Sequence, residues 1–234
     1  MREEKELRKE LLELYHTLHS FYGDVDWWPG ESRFEIILGA VLTQQTNWTN
    51  VEKALKNLKN AGILTKDDKA SIFRLLTTER SVVEELVKSS GFYKQKTERI
   101  LTITKFLKEE FDGDLDAFSR RETSHLRASL LSLKGIGNET ADSILLYVCE
   151  KPVFVVDSYT FRLLERLEIY KDPKKDYLAL QRLFESSLEP DVFLYKQYHG
   201  LIVNFSKEFC RRLPLCEKCF LKERCPTSNK EKKN

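Results

Sequence analysis

The sequence predicts an all-α protein. Apolar residues recur at helical spacing along almost the whole chain, only one short run looks like a strand, and turn-forming residues interrupt the pattern at short intervals. Leu11, Leu12, Tyr15 and Leu18 form the first stripe on one helical face. Ile36 to Leu42 is apolar all round, as a central, fully buried helix should be. Further stripes are Val51, Ala54, Leu55 and Leu58, then Ile100, Ile103 and Leu107, then Phe161, Leu164 and Leu167. Leu180, Leu183, Phe184 and Leu188 complete the series. Val153 to Val156 is strand-like, but one such run cannot build a sheet. Breaks at Pro29-Gly30, Ser89 to Gly91, Asp112 to Asp114, Gly135 to Gly137 and Pro173 divide the chain into roughly ten helices with short joints.

A chain of 234 residues, 41% hydrophobic, has enough apolar material for one large domain or two small ones. With 32% charged residues it is expected to be soluble, and no apolar run approaches the ~18 residues of a membrane span. The opening MREEKELRKELLELY carries charges where a signal peptide needs an apolar stretch. A cytoplasmic protein with no membrane contact is the expectation. Net charge is only +2, but Ser206 to Asn234 holds nine Lys/Arg against four Asp/Glu, leaving the remainder slightly acidic. Such a segment is a solvated tail or a mild sign of a polyanionic partner.

Cysteine placement is uneven. Cys149 lies in the apolar stretch ILLYVC and reads as a buried structural thiol. Cys210, Cys216, Cys219 and Cys225 crowd into one short segment, which in a cytosolic protein suggests a metal site before disulfides. Four thiolates there can enclose a tetrahedral metal or a [4Fe–4S] cluster. Only Cys216/Cys219 has the close spacing that zinc sites use on both sides, which favours the cluster. The four histidines, His199 among them, make no metal spacing and read as solvated or core residues.

The most informative string is Leu133 to Ala141, LKGIGNETA. Gly135 and Gly137 allow a tight turn, and a helix starting near Asn138 would aim its first backbone N–H groups, at the positive end of its dipole, outward beside that turn. That arrangement accepts a phosphate without needing a lysine, and such contacts position a protein on DNA without reading sequence. Gly135, Ile136, Gly137, Asn138 and Thr140 are therefore candidate DNA-binding residues. Asp157 precedes another helix, where it serves as an N-cap, and a helix N-terminus favours its ionised form. Asp26-Trp27-Trp28-Pro29 and Trp48 are aromatic groups that suit core packing or a pocket for an extruded base.

LKGIGNETA resembles the hairpin of a helix-hairpin-helix motif. With PVFVVDSYTFRLLERL after it, ILGAVLTQQTNW and GFYKQKTERI before it and the cysteines at the end, the chain is similar to the endonuclease III superfamily of DNA glycosylases. The DWWP string, Trp48 and GFYKQK resemble its bacterial 3-methyladenine glycosylase branch.

The resemblance implies a two-lobed helix-hairpin-helix fold, with residues 23–137 as one helical lobe and 1–22 plus 138–234 as the other. The second lobe would carry the cluster loop at 206–226. The implied partner is double-stranded DNA with a damaged base, bound by a monomer in a cleft between the lobes. Asp157 would be the catalytic carboxylate, stabilising positive charge on the sugar and orienting the attacking water. Trp28 and Trp48 would stack on the base beside Trp27, Glu139 would lie close to it, and Gln45 would fill the gap in the duplex.

Cys210, Cys216, Cys219 and Cys225 would hold a [4Fe–4S] cluster of structural role, although their first gap is one residue shorter than the superfamily's. The loop would bring Arg211, Arg212, Lys218, Lys222 and Arg224 near the DNA backbone. Superfamily members that also cut the strand carry a lysine two residues past the second hairpin glycine. Here that position is Glu139, which cannot form a Schiff base, and Lys134 and Lys151 are imperfect substitutes. The expectation is a monofunctional glycosylase acting on an alkylated purine such as 3-methyladenine. The alternatives are a bifunctional glycosylase/AP lyase for oxidised pyrimidines and a non-catalytic DNA-binding or redox-sensing module.

Overall fold

The computed structural model describes residues 2–231, and among them every regular element is helical. The chain forms two compact units, Trp28–Lys151 and Met1–Trp27 with Pro152–Asn234.

In the first of these, α1 of the other unit being Arg2–Tyr22, the helices are α2 (Arg33–Leu42), α3 (Trp48–Asn60), α4 (Asp68–Thr77) and α5 (Arg80–Leu86). They continue with α6 (Tyr93–Phe111), α7 (Leu115–Arg120), α8 (Thr123–Ser132) and α9 (Asn138–Tyr147). The all-apolar pattern of α2 has its expected cause: it is central and packs against α3, α4, α6 and α9. Phe34, Ile37, Leu38, Val41 and Leu42 are fully buried on it. Burying one such side chain contributes about 1.5–3 kcal/mol. Ser32 starts α2 by accepting a hydrogen bond from the Glu35 N–H at 3.2 Å.

The boundary of this unit lies at Lys151, not at the hairpin. Gly135 and Gly137 mark a turn, but α9 beyond them packs on α2 and α8 and buries Ala141, Ile144 and Leu145 completely. A helix buried among its predecessors belongs with them. Asp142, with no exposed surface, is held by Arg127 of α8 through paired bonds of 2.7 and 2.9 Å.

The other unit comprises α1, α10 (Ser158–Arg166), α11 (Tyr177–Ser187), α12 (Val192–Glu208) and α13 (Pro226–Glu231). Helix α12 packs on α1 and α10. Leu11, Leu14 and Leu18 of α1 are fully buried, and Tyr198 of α12 donates its hydroxyl to the Leu11 carbonyl at 2.7 Å. Phe154 and Phe184 stack at 3.9 Å.

The strand-like run Val153 to Val156 has no regular secondary structure and pairs with no strand among the described residues. Side chains of α11 satisfy its backbone instead. Glu185 accepts from the Phe154 N–H at 2.9 Å, and Gln181 donates to the Phe154 carbonyl at 2.8 Å. This buried, side-chain-tethered segment delivers Asp157 to the start of α10. No described helix is long and apolar enough to cross a membrane.

Candidate active site

Asp157 caps α10. Its Oδ1 accepts from the Thr160 N–H at 2.7 Å and from the Thr160 hydroxyl at 2.8 Å, and the Thr160 hydroxyl oxygen accepts in turn from the Asp157 N–H at 3.4 Å, which completes a capping box. Only 8% of the residue is exposed. Oδ2 faces Nε2 of His199 on α12 at 3.7 Å, beyond hydrogen-bond range. Burial pushes the carboxyl up, but the His199 ring and the two Thr160 bonds outweigh it and hold the acid below its ordinary range. A buried carboxylate that stays ionised can stabilise a developing cation.

His199, assigned no chemistry from the sequence, is the missed neighbour. It is a core residue, as expected, yet it is placed against Asp157. Trp27 meets its ring at 6.5 Å, and the Lys207 ammonium lies over the Trp27 ring at 4.8 Å. Gly200 makes that approach possible, since a Cβ there would sit 2.8 Å from both Trp27 Cβ and Val25 Cγ2.

Trp27 joins His199 and Lys207, whereas Trp28 meets Trp48 edge to face at 5.6 Å and 86°, with Tyr147 also 5.6 Å from Trp28. Gly39 of α2 underlies this second group: a Cβ there would lie 3.1 Å from Trp28 Nε1 and 3.6 Å from Trp48. Because the indoles are perpendicular, they do not form two parallel plates. A planar ring stacked on one would meet the edge of the other.

At the hairpin, Gly135 adopts φ +87°, a left-handed conformation that side chains rarely take. Gly137 is the N-cap of α9 and supplies no side-chain cap, so the opening of the helix is not covered by its own cap residue. The other hairpin candidates differ in what they present. Ile136 is buried and its N–H bonds to the Leu133 carbonyl at 3.0 Å. Asn138 accepts from Arg127 at 3.0 Å, and the buried Thr140 hydroxyl accepts from Gln44 at 2.9 Å. The side chains of Ile136 and Thr140 therefore serve the fold, not the surface. Glu139 is exposed in the first turn of α9, and Gln45 is exposed at φ +55°.

The four cysteines of the C-terminal loop are not joined by disulfides and line one small cavity. Leu163, Leu167, Phe205, Phe209 and Leu221 supply its apolar wall. Burial, and then the nearby Cys210 and Cys225, push the Cys219 thiol up against the opposing effect of the Leu221 N–H. Arg166 donates to Cys210 Sγ at 3.2 Å and to the Arg212 carbonyl at 3.1 Å, and Arg162 donates to the Cys210 carbonyl at 2.8 Å. Among the described residues, no three His, Cys, Asp or Glu side chains converge closely enough to hold one metal ion. Arg211, Arg212, Lys218 and Arg224 are exposed around the loop, and Lys222 is half-buried.

A family model described as HhH-GPD superfamily base excision DNA repair protein matches residues 38–190. A Methanocaldococcus jannaschii protein named as a DNA repair glycosylase is 41% identical over 224 residues, covering 94% of this chain and 98% of the relative. Endonuclease III of Thermotoga maritima is 32% identical, covering 82% of each chain. Among solved structures, the H. pylori 3-methyladenine DNA glycosylase bound to 1,N6-ethenoadenine is similar with a TM-score of 0.73 and 38% identity. That match covers 88% of this chain and 97% of the other.

Proposed function

From the premise that the chain belongs to the HhH-GPD superfamily of base excision DNA repair proteins, we propose that it is a monofunctional glycosylase for alkylated purines such as 3-methyladenine. The observation that carries the reading is Asp157, buried and held ionised at the start of α10. As the glycosidic bond breaks, the sugar acquires positive charge, and a fixed carboxylate stabilises that state more than the neutral substrate. Asp157 also accepts a hydrogen bond from the attacking water and orients it. The Gly137-capped start of α9 receives a backbone phosphate, and Gln45 fills the space the flipped nucleotide leaves.

The aromatic group supports the substrate class. Trp28 and Trp48 offer electron-rich faces and edges, and a purine alkylated on a ring nitrogen is cationic, so cation–π attraction favours it over a neutral base. The similarity to the H. pylori enzyme points the same way. Release of free base from duplexes bearing one lesion each tests this. 3-Methyladenine should be released faster than an oxidised pyrimidine, and the reverse order would contradict the assignment.

Hydrolysis without strand cleavage follows from the residue at 139. A carboxylate cannot form the Schiff base that strand cleavage requires. Glu139→Lys should introduce a covalent enzyme–DNA adduct trapped by borohydride, with none from the parent protein, read on a denaturing gel. Adduct formation by the parent at the variant's level would show that another amine acts.

A [4Fe–4S] cluster fits the cysteine loop. Four thiols with no disulfide between them line one apolar-walled cavity, and four cysteine ligands are what a [4Fe–4S] cluster takes. Cys210, Cys216, Cys219 and Cys225 would hold it, with Arg166 donating to the Cys210 sulfur. Bound there, the cluster would cross-link the loop that carries the exposed arginines and lysines. Anaerobically purified protein should contain about four irons with matching acid-labile sulfide. One zinc per chain without sulfide would contradict the cluster.

A further inference from the structure

Gln44 takes no part in the reading above, yet its amide is bonded at both ends. Nε2 donates to the Gly135 carbonyl at 3.1 Å and to the Thr140 hydroxyl at 2.9 Å, and Oε1 accepts from the Arg99 guanidinium. Arg99 itself lies against the hairpin: a Cβ on Gly135 would meet its side chain at 2.5–2.9 Å. Side chains of α6 make three further bonds. Lys96, 1% exposed, donates to the Leu42 carbonyl at 2.8 Å and to the Ser90 carbonyl at 2.5 Å, and Lys134 of the hairpin pairs with Glu98 at 3.3 Å. The next residue along the chain is Gln45, exposed and in the left-handed region.

We propose that Gln44 is a positioning residue that ties the Gln45 corner to the hairpin turn, so that seating the hairpin on the DNA backbone and inserting Gln45 into the base stack are one rigid movement. The inference rests on the glycosylase reading. Only an uncharged amide satisfies the site, with two donors toward a carbonyl and a hydroxyl and one acceptor toward a guanidinium. Glutamate would set an acceptor against the Gly135 carbonyl, and leucine would fill similar volume while making none of the bonds. A left-handed corner tethered to the hairpin through Gln44 does not have to reorganise when DNA arrives, and such preorganisation raises the rate of base opening.

The test is a double-mutant cycle on Gln44→Leu and Gln45→Ala, read by single-turnover base release and by fluorescence of 2-aminopurine beside the lesion. Gln44→Leu is expected to slow base opening and base release together by about tenfold, with affinity for undamaged duplex within twofold. The double variant should be no slower than the slower single variant, because Gln44 acts through Gln45. Multiplicative losses in the double variant, or a Gln44→Leu protein within twofold of the parent in base opening, would overturn the proposal. Should Gln44→Leu melt early, Thr140→Val, which removes a single bond, decides by the same two criteria. Base opening is scored whether or not a base is released. A parent that opens the helix but releases nothing therefore counts against the glycosylase reading alone.

Discussion

Asp157→Asn should reduce single-turnover base release by about 10²- to 10⁴-fold while leaving the fold intact. The separation is possible because asparagine is as good an N-cap as aspartate. Its side-chain oxygen can accept the Thr160 N–H bond that Asp157 Oδ1 makes at 2.7 Å, so α10 keeps its first turn and melting should change by less than about 1 kcal/mol. What disappears is the negative charge, and with it the stabilisation of the oxocarbenium-like state. Asp157→Ala differs, since it loses the cap as well and should cost about 0.5–2 kcal/mol. The pH dependence follows from the direction of the shift. The folded-state pKa is depressed, so Asp157 contributes to stability above its unfolded value near ~3.9, and that contribution is lost as pH falls through the lower folded value. The carboxylate is thus fully ionised at pH ~5 and above, and its own titration should impose no acid limb on activity there. An acid limb near neutrality that vanished in Asp157→Asn would contradict the depressed value.

Arg127→Met should be the largest stability effect, about 3–5 kcal/mol, or roughly 10 °C in melting temperature. Asp142 has no exposed surface, and the paired Arg127 bonds at 2.7 and 2.9 Å neutralise its charge. Removing the guanidinium leaves that carboxylate buried without this paired counter-charge. The same Arg127 Nη2 holds Asn138, the first residue of α9, so the hairpin loses its brace too. Adding Asp142→Leu should recover part of the loss, because replacing both partners removes the uncompensated charge. A single variant that melted within 1 °C of the parent would show that the pair does not support the hairpin.

The fold was legible where local physics dominates. The all-apolar stretch at Ile36 to Leu42 could only be a central helix, and the glycine spacing of LKGIGNETA could only be a tight turn before another helix. Illegible features depend on contacts between distant residues. Val153 to Val156 looked like a strand because its composition is that of buried extended backbone. Its partners, however, are the Gln181 and Glu185 side chains, which no alternation pattern encodes. His199 reaches Asp157 from another helix, and Gln44 reaches the hairpin from another turn, so neither has a spacing signature. The unit boundary at Lys151 follows a related rule: glycines reveal where the chain turns, while packing decides where a unit ends.

The most direct measurement is strand scission on a duplex carrying one 3-methyladenine analogue, scored before and after alkali with nuclease-free protein. Breaks that appear only after alkali, with stoichiometric free base and none from Asp157→Asn, are the predicted result. They would mean that water, oriented at Asp157, cleaves the glycosidic bond and leaves an intact abasic site. Breaks of equal extent before alkali would contradict the account, because a protein amine would then be attacking the sugar in place of water.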